Sequence, residues 1–213
     1  MKRSILLTIV ATLSIFCLTA DAGIVYSFKQ IAEDGDGPIE FADGEIGEAQ
    51  LFVEVTNLSA KQVLFTFTNT GPEACSITDI YFDDGVLLGI ASIDDSCYGV
   101  LFSQSTTPHN LPGGHTLIPP FVATEGFSAD SDPPVEHNGI NPNEWLGITF
   151  DLKPDKDFSN VTGNLACGQL RIGIHVQGYA SGGSESFVNV PEPATVTLLS
   201  AGLGIVTLLR RRR

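Results

Sequence analysis

Period-two alternation of apolar and polar residues is the feature that most limits what this chain can fold into. Val63, Phe65 and Phe67 alternate with Leu64, Thr66 and Thr68, and Ile172, Ile174 and Val176 alternate with Arg171, Gly173, His175 and Gln177. Successive side chains of a strand point to opposite faces, so each segment reads as a strand with one buried face. Similar runs, bounded by turn residues, occupy Ile24 to Phe28, Ala49 to Asn57, Gln62 to Asn69, Ile77 to Phe82, Val86 to Ile93, Tyr98 to Phe102, Trp145 to Leu152 and Leu170 to Tyr179. No window carries a long apolar stripe of helical period, and 22 Gly with 12 Pro interrupt every candidate helix. The pattern predicts an all-β fold, an antiparallel β-sandwich of roughly eight or nine strands. Asn57 to Lys61 reads as the short polar connection of a hairpin. Ser103 to Asn143, crowded with Pro and Gly, reads as one long loop draped over the core through Phe121, Val122 and Phe127.

The ends have a different character. Lys2 and Arg3 precede the apolar run Ser4 to Leu18, and Ala20-Asp21-Ala22 puts small residues at alternate positions before Gly23. That is the layout of a secretory signal peptide cut after Ala22, which makes the translocon and signal peptidase expected partners. Phe16 stands before Cys17 where a lipoprotein signal needs a small residue. At the other end, Val190-Pro191-Glu192-Pro193 is followed by the apolar run Ala194 to Leu209 and by Arg210, Arg211, Arg212 and Arg213. Sixteen helical residues reach about 24 Å, and arginine snorkelling covers the deficit against a ~30 Å hydrocarbon core. The arginines keep their side cytoplasmic and put the body outside the inner membrane. The expected division is a signal peptide at 1–22, an extracellular body at 23–189 and a tail with a hydrophobic transmembrane helix at 190–213.

The tail closely resembles the PEP-CTERM sorting signal of Gram-negative bacteria, with Pro191-Glu192-Pro193 as motif, Ala194 to Leu209 as helix and Arg210 to Arg213 as basic stop. The resemblance implies an exosortase as partner, cutting near the motif and delivering the body to the cell surface or matrix, typically in bacteria that make exopolysaccharide. The two prolines keep the preceding chain extended, as a protease requires. The body also resembles PEP-CTERM exported proteins of unassigned activity, through Val63 to Gly71, Ser76 to Gly85, Leu146 to Leu152 and Leu170 to Asn189. That likeness implies no catalytic residue.

The body keeps five of the eleven Lys and Arg and twenty-three of the twenty-five Asp and Glu, a net of about −18. Such a surface repels nucleic acid and anionic lipid, and nucleic acid is not an expected partner. Cys75, Cys97 and Cys167 remain in the exported body. Three pairings exist, each leaving one thiol, and sequence proximity favours Cys75 with Cys97. Asp34, Asp36 and Glu45 fall at positions one, three and twelve of an EF-hand loop, but Pro38 and Ile39 stand at positions five and six, so only a looser calcium site is open to them. Asp83-Asp84 and Asp94-Asp95 would serve as well, and a solvated acidic turn is the plainer reading. His109, His115, His137 and His175 lack zinc-site spacing, and no nucleophile elbow or phosphate loop occurs. No cofactor, resident metal or catalytic residue is therefore expected. Trp145 opens an apolar strand and reads as core. The expected function is a non-enzymatic surface or matrix protein. The alternatives are a carbohydrate-binding module or adhesin engaging exopolysaccharide, marked by loop aromatics exposed together, and an extracellular hydrolase, marked by convergent carboxylates or a Cys/His pair.

Overall fold

A computed structural model describes residues 23–32 and 37–190. Ala20, Ala22, Asp34, Asp36, the Pro191-Glu192-Pro193 motif, the expected membrane helix and Arg210 to Arg213 lie outside the described residues. Ten strands and three α-helices follow in the order β1 (Ile24–Gln30), α1 (Pro38–Gln50), β2 (Leu51–Ser59), β3 (Gln62–Asn69), β4 (Ser76–Asp83), β5 (Leu87–Asp94), β6 (Phe102–Gln104), β7 (Ser128–Ser131), α2 (Val135–Asn138), β8 (Trp145–Leu152), α3 (Phe158–Cys167), β9 (Arg171–Gln177) and β10 (Glu185–Asn189). Every pairing is antiparallel, in the spatial order β5-β8-β3-β2-β1-β10-β9-β4-β7-β6.

The ribbon folds over at β1. Ile24 to Ser27 pair with β2 in one layer, and Phe28 to Gln30 pair with β10 in the other. The inner faces carry the alternating residues: Val63, Phe65, Phe67, Ile148 and Phe150 from the first layer meet Ile80, Phe82, Ile172, Ile174 and Val176 from the second. Aromatic rings knit the layers together. Phe82 of β4 meets Phe65 at 5.0 Å and Phe150 at 4.6 Å, both edge-on, an arrangement worth about 0.5–1.5 kcal/mol per pair beyond burial.

The sandwich is as expected, with the predicted β2–β3 hairpin formed, but several local readings are corrected. Helices do occur, and the acidic Gly-rich stretch with Asp43 and Glu45 belongs to α1 rather than to a loop. The buried face of α1 consists of Asp43, Gly44, Gly47 and Gln50, while Ile39 and Phe41 point to solvent, so no apolar stripe announces it. Gly47 sits where a Cβ would fall 2.2 Å from the Phe187 ring, so the helix packs by lacking side chains. Trp145 is not core: Leu146, Ile148 and Phe150 take the inward positions of β8, which turns Trp145 to the outer face, half-buried.

The long Pro/Gly segment is a drape that also contains β7 and α2. Leu111 and Phe121 join Ile31 and Tyr81 in a small second core on the outer face of the β9-β4 layer. Gly173 admits them, since a Cβ there would lie 2.6 Å from Leu111. Arg171 staples the drape: its guanidinium donates to the carbonyls of Pro119 (2.7 Å) and Pro120 (2.6 Å), pairs with Asp83, and lies 5.3 Å from the Phe121 ring centroid. Phe127 packs on Phe150, and Val122 stays exposed.

Candidate functional site

Strand register builds one polar row that the sequence does not announce. Asp130 of β7 stands opposite Asp79 of β4, Asp79 opposite His175 of β9, and His175 opposite Ser186 of β10. Residues directly opposite in antiparallel strands share a face, so four groups 11 to 107 residues apart along the chain meet on the outer face, beside the drape. Only register brings them together, which is why no sequence motif found them.

His175 Nδ1 lies 3.2 Å from Ser186 Oγ, at a cleft of about 230 Å³ lined by Ile31, Glu40, Pro112 and Glu185. Burial holds His175 below the ordinary histidine range, so the ring is neutral at pH 7 and one nitrogen can accept from the serine. A nucleophilic relay also needs a carboxylate on the other ring nitrogen. Asp79 is engaged elsewhere: Thr78 Oγ1 donates to it at 2.9 Å, and it shares a hydrogen bond with Asp130. Burial, reinforced by the Asp130 charge, pushes the Asp79 carboxyl up to about 7, and burial raises Asp130 as well. Two carboxyls that close form a proton-sharing pair. The convergent carboxylates named as the mark of a hydrolase are thus present, but they face each other.

Cys75, Cys97 and Cys167 are all free thiols, and the expected Cys75–Cys97 bridge is not formed. Cys75 is buried in an amide clamp: Gln50 Nε2 donates to its Sγ at 3.0 Å and to Asn69 Oδ1 at 3.0 Å, while Asn69 Nδ2 donates to the Cys75 carbonyl at 2.9 Å. Burial pushes the Cys75 thiol up to about 11. Among the described residues no cluster of three metal-ligating side chains occurs. Glu45 is exposed on α1. The other acidic pairs are turn-builders: Asp84 accepts from the Val86 and Leu87 amides, Asp94 from Ser96 N and Asp95 from Phe102 N.

The drape's aromatics are not exposed together, since Phe121 is 3% exposed and Phe127 leans on the core. The most exposed ring among the described residues is Tyr98, 97% accessible beside a cleft of about 450 Å³ lined by Leu101, His137, Asn138, Asn141 and Glu144. Finally, β10 leads straight to the tail. Val190 N donates to Ser27 O at 2.9 Å, and Asn189 Oδ1 accepts from Ile172 N at 2.7 Å, so the strand is held to its last residue. Among the described residues no helix is long and apolar enough to cross a membrane.

Comparison with known families finds the PEP-CTERM protein-sorting motif at residues 189–213. Neither the curated proteins nor the solved structures contain a match to the chain.

Proposed function

We propose, from the premise that this chain is a PEP-CTERM exosortase substrate, exported through the inner membrane and processed to the cell surface or extracellular space, that its body is a non-catalytic structural or interaction module there. The observation that carries this reading is how the reactive side chains are used. Asp79 and Asp130 bond each other, Cys75 sits in an amide clamp, Asp84, Asp94 and Asp95 cap turns, and Arg171 staples the drape. Groups committed to folding in this way serve a rigid, acidic scaffold, and uncompensated carboxylate keeps such a scaffold soluble outside the cell. The test is retention of the processed protein in the surface and matrix fraction of its host. A folded His175→Ala/Ser186→Ala variant should be retained like the natural chain. Loss of retention with the fold intact would mean that the His–Ser pair acts chemically.

Tyr98 favours a second reading, a carbohydrate-binding module. An exposed aromatic face beside amide and carboxylate groups is the arrangement that stacks on the apolar side of a sugar ring while bonding its hydroxyls. Titration of polysaccharide from the host, followed by tyrosine fluorescence, should show saturable binding that Tyr98→Ala abolishes if this reading holds. The first reading stands alone if neither chain responds.

A further inference from the structure

The tail leaves the body with almost no tether. Val190 is still hydrogen-bonded to β1, and the apolar run begins at Ala194. Only Pro191, Glu192 and Pro193 intervene, and four Cα–Cα steps span at most about 14 Å, however extended. The headgroup layer between hydrocarbon and water is itself roughly 5–8 Å thick on each side. Lengthening the tether by peeling β10 would break ladders on both sides, because that strand lies between β1 and β9.

The end of the sandwich that faces the tail is defined by the strand directions. It carries the Gly23 terminus, the β2–β3 and β4–β5 turns, the segment around α3, and Val190. The same end holds Lys61, Lys153, Lys156 and Arg171, four of the five Lys and Arg among the described residues. Lys61 and Lys153 bond carbonyl oxygens, those of Pro154 and Lys156 at 2.8 Å and that of Gly85, and their charges also act on Asp155, Asp157 and Asp84. Lys156 and Arg171 face Asp155 and Asp83, and with Glu54, Asp84, Glu125, Asp151 and Asp157 the end carries seven carboxylates against its four cations, a smaller excess of negative charge than at the opposite end. The opposite end has α1, the Asp94-Asp95 turn and the Asp132 to Glu144 loop, with Lys29 as its one cation among the described residues. Leu58, Leu88 and Val122 are exposed at the Val190 end.

We infer that this end of the sandwich is a membrane-facing surface, held at the headgroups of the inner membrane while the tail is uncut, with the more acidic end turned away. The inference rests on the reading that the tail lies in the bilayer until the exosortase cuts it. The short tether sets the distance, and the segregation of charge sets the polarity, since carboxylate more than a Debye length of about 8–10 Å from the surface is screened from it.

The test uses the full chain exported by a host without an exosortase, reconstituted in vesicles of phosphatidylethanolamine and phosphatidylglycerol at about three to one. A single fluorophore is placed through Ala60→Cys or Ser96→Cys in a Cys17→Ala, Cys97→Ala, Cys167→Ala background, and a headgroup-nitroxide lipid serves as quencher. Strands of eight residues put the two sites roughly 25 Å apart along the sandwich. The Ala60 site should be quenched several-fold more strongly than the Ser96 site. Equal quenching in protein that floats with the vesicles would overturn the orientation. Failure to float would show that the tail is not in the bilayer and would overturn the reading beneath it.

Discussion

Asp79→Asn should stabilise the body at neutral and alkaline pH and do almost nothing in acid. The carboxyl is buried on the outer face of the second layer, bonded by Thr78 and facing Asp130, and its pKa rises from 3.8 to about 7 in the fold. A carboxyl raised on folding contributes stability that is complete below its unfolded pKa and is lost as pH climbs through the folded one. The window here runs from about pH 4 to pH 7. Three units at ~1.4 kcal/mol each set a ceiling of about 4 kcal/mol. Because Asp130 shares the proton and its charge, we expect roughly 2 kcal/mol for the single replacement. Asparagine keeps the shape, cannot ionise, and donates to Asp130 where two carboxylates would repel. Urea unfolding of both chains at pH 4, 5.5, 7 and 8 gives the difference directly, since all other titrations are common to the two. The difference should grow from near zero to about 2 kcal/mol in favour of asparagine. A difference independent of pH, or a variant less stable at pH 8, would refute the shared-proton account.

Phe82→Ala removes the ring on which Phe65, Phe67 and Phe150 converge, and should cost about 3–5 kcal/mol in urea unfolding; a loss under 1 kcal/mol would mean that the two layers are not joined there. Arg171→Ala frees the Pro119 and Pro120 carbonyls and should open the drape to limited proteolysis near Val122 while the β-sheet signal in circular dichroism persists; an unchanged cleavage pattern would remove the staple. Alkylation of the native protein should modify Cys167 readily and leave Cys75 unmodified until denaturant is added, with no disulfide by intact mass. Gln50→Ala leaves the Cys75 and Asn69 groups without their buried donor and should cost about 1–3 kcal/mol; full stability on loss of that amide would show that the clamp is dispensable.

What the sequence disclosed followed from where side chains alternate. β3 and β8 coincide with their expected limits because both place apolar residues inward at every second position, with mostly polar or small ones between them. β10 escaped because Glu185 and Asn189 occupy inward positions, one bonded by Gln30 Nε2 at 2.8 Å and the other accepting from Ile172 N. β7 escaped because Ser128–Ser131 carries no large apolar residue at all. α3 did leave local signals: Asp157 accepts from the Ser159 and Asn160 amides at its start, and Gly168 ends it at φ +72°. Its apolar stripe, Phe158, Val161 and Leu165, covers only about two turns, too short to stand out among the glycines. The polar row was illegible for a deeper reason, because register is a property of the folded sheet and no pair of its residues is close in sequence.

One strand hidden from the sequence, β10, decides how the body meets its tail. With every pairing antiparallel and each connection returning at the end it left, the strands alternate in direction along the chain. Nine such strands would release the two termini from opposite ends of the sandwich. Ten release them from the same end, so Gly23 and Val190 both face one way. A signal peptide leaving from one side and a hydrophobic tail from the other would pull the folded body between two attachments. With ten strands the expected signal peptide and the expected hydrophobic tail ask for the same orientation. β10 also closes the gap between β1 and β9, so the strand that completes the even count is the one that leads into the sorting motif. Destabilising β10 should therefore act on processing as well as on stability. Phe187→Ala, which empties the contact under Gly47, should shift the exosortase cut to a longer, frayed segment or slow it. The intact mass of the product recovered from the host distinguishes these outcomes, and an unchanged cut at an unchanged rate would show that the enzyme reads the tail without reference to the fold.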